Sequence, residues 1–188
     1  MLASLSACAT VNQQDILDQK THETELANRE RNWKEKLNKL RSTTRALKHE
    51  IILLGNHPGW SELARIGKGY ESILYLEGKE QAYTKTEIEL LQWSKKWNAN
   101  GPEIYLKYIS LNERLHSLSD SWTHIIKEGQ EIATFRDNLL NWRHSRKLIT
   151  TEASILLMNY YTITDDKNIE LIKSEVIDLS NTFKSITP

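Results

Sequence analysis

The stretch LANRERNWKEKLNKLRSTTRALKHEIILL, residues 26–54, decides the fold. Leu26, Trp33, Leu40, Leu47 and Leu54 recur every seven residues, and Leu37, Thr44 and Ile51 fall four residues after their predecessors. Alternating steps of four and three place all of these side chains along one side of an α-helix. Residues 1–54 contain neither glycine nor proline, so nothing interrupts the pattern, and a continuous helix is expected over residues 12–54. At about 1.5 Å per residue it would be roughly 60 Å long, more than a compact domain of this size requires, so it is expected to project. A projecting seam of apolar residues needs a cover, which makes this helix the expected site of self-association or of binding to another protein.

The charges beside the seam point the same way. Basic residues outnumber acidic ones between Arg29 and Glu50, and Lys34, Arg41 and Lys48 repeat every seven residues along the seam's flank. Residues 152–178 are acidic in balance, through Glu152, Asp165, Asp166, Glu170, Glu175 and Asp178, so the end of the chain can pair with the first helix within one molecule or between two. Trp33, Leu37, Leu40, Lys34, Arg41 and Lys48 are therefore the expected partner-binding set. Trp60 joins them as an aromatic in the loop-like stretch GNHPGWS, residues 55–61.

Punctuation divides the rest. Gly55 and Pro58 end the first helix, with Gly55 suited to a left-handed cap. Ser61 can cap a second helix carrying Leu63, Ile66, Tyr70, Ile73 and Leu74 inward, and Thr84 with Glu87 forms a capping-box pattern that opens a third through Ile88, Leu91 and Trp97. Pro102 suits the first turn of a long helix whose seam runs Ile104, Tyr108, Leu111, Leu115, Leu118, Trp122, Ile125, Gly129, Ile132, Phe135, Leu139 and Trp142, with Gly129 a place for a bend. Ala153, Leu156, Tyr160 and Ile163 continue in phase, and Asp165 or Asp166 can cap a separate final helix through Ile169, Ile172, Val176, Leu179 and Phe183. The fold class is all-α: an elongated bundle of amphipathic helices with coiled-coil-like seams. Residues 1–11 form a leader or tether, 12–54 the long helix and 55–188 a helical bundle.

Composition narrows the function. Lys plus Arg equals Asp plus Glu at 25 each, which removes the overall basic signature of a nucleic-acid binder. No apolar run approaches the roughly 18 residues of a membrane-spanning helix, and a single cysteine forms no internal disulfide. The sequence has no nucleophile elbow, phosphate loop or zinc cluster. Glu113, His116, Asp120 and His124 lie along one side of the long helix, and Glu113 with His116 spells the Glu-x-x-His unit of di-iron bundles, yet no second such unit faces it. These residues read as a solvated face. The expectation is a protein that is not an enzyme and holds no metal or cofactor.

The start of the chain is more specific. Leu5, Ser6, Ala7 and Cys8 resemble the lipobox of bacterial lipoproteins, and the polar ATVNQQD that follows resembles their flexible tether. The resemblance covers four residues. It implies cleavage before Cys8, acylation of that residue, and a membrane attachment made by the lipid alone. In enterobacteria-like cells, a residue other than aspartate after the cysteine, here Ala9, implies the periplasmic side of the outer membrane. LASLSA then reads as the end of a longer leader. The expected function is a lipid-tethered helical adaptor, assembly factor or inhibitor. The alternative is a cytoplasmic coiled-coil scaffold or immunity-type binding protein in which Cys8 is an incidental small thiol.

Overall fold

A computed structural model describes residues 12–67, 71–76, 82–98 and 100–187. Among these residues the structure is all helix: α1 (Gln13–Gly55), α2 (Pro58–Ile66), α3 (Glu71–Leu76), α4 (Lys85–Trp97), α5 (Asn100–Ser145) and α6 (Thr151–Lys184). Leu5, Ser6, Ala7 and Cys8 lie outside the described residues.

The chain divides into two compact units, and α1, α5 and α6 each contribute to both. The described part of unit 1 is residues 12–38 and 124–171, and that of unit 2 is residues 39–123 and 172–187. In unit 1 the Trp33 ring lies on α5 at Gly129, where a Cβ would come within 3.1–3.2 Å of three ring atoms. Its indole N–H donates to the Ile125 carbonyl at 2.8 Å. Gly129 therefore serves packing, and α5 passes through it as one helix. A glycine in a helix interior costs up to about 1 kcal/mol relative to alanine, which the seating of a tryptophan ring offsets.

Unit 2 holds most of the fully buried side chains, among them Leu47, Ile51, Leu63, Leu90 and Leu111. α1 is thus an integral core element, which corrects the expectation that it projects. In unit 2 its seam is buried at Thr44, Leu47, Ile51 and Leu54, and in unit 1 Trp33 seats on α5. The acidic end of α6 supplies its ion pairs within the molecule: Arg41 holds Glu175 at 2.5 Å and Lys48 holds Asp178 at 2.5 Å.

Three corrections concern helix starts and stops. His57, not Ser61, caps α2, its ring Nδ1 accepting from the Gly59 N–H at 3.1 Å with Pro58 opening the helix. Ser61 lies within α2 and donates its hydroxyl to the Gly55 carbonyl. Gly55 is required for space rather than for a left-handed turn, because a Cβ there would lie 2.4 Å from the Ile186 side chain. The left-handed cap falls at Gly67, with φ 68°, so the sequence expected as one second helix is divided into α2 and α3. The capping box of α4 forms as expected, with the Thr84 N–H donating to Glu87 at 2.7 Å and the Glu87 N–H donating to the Thr84 hydroxyl at 3.3 Å. α4 buries Leu90 and Trp93 and leaves Ile88 exposed, because it packs on α2, where the Trp93 N–H reaches the Gly59 carbonyl at 2.7 Å.

Two carboxylates of unit 2 tie its stability to acid pH. Hydrogen bonds from Arg114 hold the Glu50 pKa below its ordinary 4.5, and those from Lys96 and then Trp97 do the same for Glu62. Groups with lowered folded-state pKa values stabilise fully above the unfolded value and lose that contribution as pH falls through the lowered one. Wild type should therefore lose stability below about pH 4.5, where such carboxylates protonate. The Glu50→Gln/Glu62→Gln double variant should lose less over the same interval. Urea titrations at stepped pH measure this, and parallel curves for the two proteins would refute it.

Candidate functional site

The structure separates the residues that the sequence groups as partner-binding. Trp33, Lys34 and Leu37 belong to unit 1, and Leu40, Arg41, Lys48 and Trp60 to unit 2. Leu37 and Leu40 are half-buried on the α1 seam, and Arg41 and Lys48 are engaged by Glu175 and Asp178. Trp60 is the plainest correction. It is 1% exposed, stacks on Tyr108 with ring centres 4.5 Å apart, and donates its N–H to the Ile186 carbonyl at 2.7 Å. A proline in the first turn places it inside α2 instead of in a loop, so it is core and not an exposed anchor.

Of the expected set, Trp33 and Lys34 line a groove of about 500 Å³ in unit 1, together with residues of α5 and α6 that the sequence did not mark as partner-binding. Its floor is organised by Arg136, a charged side chain on the inward side of α5 that is only 8% exposed. The guanidinium donates to Glu30 of α1 at 2.8 and 3.2 Å and to Asp165 of α6 at 2.7 Å, and lies 4.3 Å above the centre of the Tyr161 ring. Burial opposes its charge, yet the hydrogen bonds to Glu30 and Asp165 outweigh that and leave its pKa above the ordinary value. One cation thus ties together three helices. Asp165 is fixed within α6 by this contact, which corrects its expected role as the cap of a separate helix. α6 runs unbroken from Thr151 to Lys184 because no glycine or proline stops it, and a mid-helix aspartate costs only about 0.5 kcal/mol.

α6 also departs from the expected seam. Leu156 is 69% exposed and Tyr160 is 63% exposed, with Ile155 exposed beside them. The inward positions are Leu157 and Tyr161, which line a smaller cavity with Leu26 and Leu139. The sequence SILLMNYY, residues 154–161, is apolar around most of the helix, so its period fits two opposite faces equally well. Packing on α1 and α5 covers one face and leaves the other in solvent. Tyr160 also lines the Arg136 groove, so the exposed ridge runs into it. Along the groove stand Glu30, Asp137, Asp165 and Asp166 against Lys34 and Arg136, an excess of negative charge.

Glu113, His116, Asp120 and His124 are all exposed on α5. Among the described residues, no three His, Cys, Asp or Glu side chains gather as metal ligands. No helix there is long and apolar enough to cross a membrane. An apolar ridge beside a charged groove is a surface that can bind. Family models, curated proteins and solved structures offer no match to this chain.

Proposed function

We propose that this chain is a non-enzymatic helical adaptor, assembly factor or inhibitor that binds another protein while tethered by acyl chains on Cys8 at the periplasmic side of the outer membrane. The observation that carries the binding role is the exposed ridge of Ile155, Leu156 and Tyr160. Large side chains on one solvent-facing helix surface, beside a formed groove, are what a partner covers. The tether rests on the likeness of Leu5, Ser6, Ala7 and Cys8 to a lipobox. Two or three acyl chains, at about 0.8 kcal/mol per buried methylene, hold a protein at a bilayer without any spanning segment. The binding surface proposed here is the α6 ridge of unit 1 and not the α1 seam, because that seam is buried from Thr44 to Leu54 and half-buried from Leu26 to Leu40.

Expression in bacteria from the full genomic reading frame, with any codons upstream of Met1 included, tests both parts. A fatty-acid analogue should label wild type and not Cys8→Ser, and the variant should move from the membrane to the soluble fraction. A photo-cross-linking residue at Leu156 should give one discrete adduct that the same residue at Asp120 does not. Equal absence of label in wild type and Cys8→Ser would remove the tether, and equal adducts from Leu156 and Asp120 would remove the binding role.

A further inference from the structure

The binding reading can be taken one step further, to the chemistry of the partner, and this step rests on that reading. We propose that unit 1 docks a basic amphipathic helix of another protein, its apolar face laid across Leu156 and Tyr160 and a lysine or arginine entering the groove near Asp166.

Leu156 and Tyr160 are one helical turn apart and both largely exposed, so they present two knobs at i, i+4 spacing to which the i, i+4 side chains of a second helix are matched. Tyr160 belongs to both ridge and groove, which places the acidic lining next to the apolar contact. Within that lining Arg136 is held by Glu30 and Asp165, and the other charged groups are Asp137 and Asp166 against Lys34. A carboxylate-rich groove favours a cationic guest over an anionic one and accelerates its arrival, and the Trp33 and Tyr160 rings in the same lining suit an ammonium or guanidinium. An anionic lipid surface is repelled by the same charges.

A second copy of this chain fits less well. The basic part of α1 exposes Arg31, Lys34, Lys39 and Arg45, but the apolar residues beside them are turned inward. The exposed large apolar residues of α1 are Ile16, Leu17, Ile52 and Leu53, outside that basic stretch. α1 therefore does not offer the groove a surface that is basic and apolar together.

The test uses the full chain and a synthetic helical peptide of about 14 residues built from leucine, lysine and alanine, with leucine at i, i+4 spacing. Calorimetry should show one peptide bound per chain, about tenfold or more tighter than a peptide with glutamate in place of lysine, and weakening as salt rises. Leu156→Ser/Tyr160→Ser and Asp166→Lys, all at exposed positions, should each lower that affinity about tenfold while circular dichroism is unchanged. Equal affinity for the two peptides, or undiminished affinity in both variants, overturns the proposal. So does a wild-type dimer in sedimentation that Leu156→Ser dissolves, which would make a second copy the occupant. Binding to phosphatidylglycerol vesicles that Leu156→Ser/Tyr160→Ser abolishes would make it a membrane. An adduct from Leu156 in cells together with failure of the lysine peptide would sink the basic partner and leave the adaptor role standing. A bound lysine peptide with no adduct would do the reverse.

Discussion

Replacing Trp60 with alanine is expected to destabilise the protein by about 4 kcal/mol, the range for emptying a fully buried tryptophan site. The ring is 1% exposed and begins a stack that continues through Tyr108 to Phe183, with centres 4.5 Å and 5.3 Å apart. Three separate segments, α2, α5 and α6, therefore meet at this column. Its N–H also secures the Ile186 carbonyl beyond the end of α6, so the alanine variant loses an anchor for the C-terminal turn as well as ring area. Trp60→Phe separates these contributions. It keeps an aromatic ring in the stack and removes the N–H donor, leaving a carbonyl without its partner at a cost of about 1–2 kcal/mol plus a smaller packing loss. Urea unfolding followed by circular dichroism measures both variants. A loss below about 1 kcal/mol for Trp60→Ala would mean that the ring behaves as a surface side chain and that the described burial is wrong.

What could be read from residues alone, and what could not, follows from which patterns have a single physical solution. The seam of α1 has one, because steps of four and three over nearly thirty residues fit only a helix, and the absence of glycine and proline leaves no place to stop it. The Thr84 and Glu87 pair likewise specifies one local geometry, and both of its hydrogen bonds are present. The seam of α5 places Leu111, Leu118, Trp122, Ile125, Ile132 and Leu139 in the core. Trp60 failed for the opposite reason. Gly, His, Pro and Gly around it read as a loop, whereas His57 and Pro58 are a cap and a first turn, a distinction set by one ring nitrogen accepting one N–H. α6 failed because residues 154–161 are apolar on nearly every side, so periodicity carried no information about which face turns inward. Arg136 was missed because a charge on an inward face signals itself only through its partners, and Glu30 and Asp165 are 106 and 29 positions away along the chain.

Arg136→Leu should cost about 3 kcal/mol, the lower end of the range for removing one member of a buried ion network. The substitution takes away a cation that is 9% exposed at its side chain and leaves Glu30 and Asp165, each 30% exposed, with two carboxylates turned toward an apolar residue. Their remaining contact with solvent keeps the loss at that lower end. The sharper expectation is that the triple variant Arg136→Leu/Glu30→Gln/Asp165→Asn recovers most of the stability, since removing all the charges removes the desolvation that the guanidinium offset. Recovery would show that the network adds little net stability and that packing holds α1, α5 and α6 together in unit 1. A triple variant as weak as the single one would mean instead that the stacking of Arg136 on Tyr161, 4.3 Å from its ring centre, is what the unit depends on. The two outcomes also differ at the proposed docking groove. If packing holds the helices and the charges add little, the triple variant keeps Leu156 and Tyr160 in place and retains Asp137 and Asp166, so a basic peptide still binds. If the stack holds the α6 face in position, peptide binding is lost along with stability.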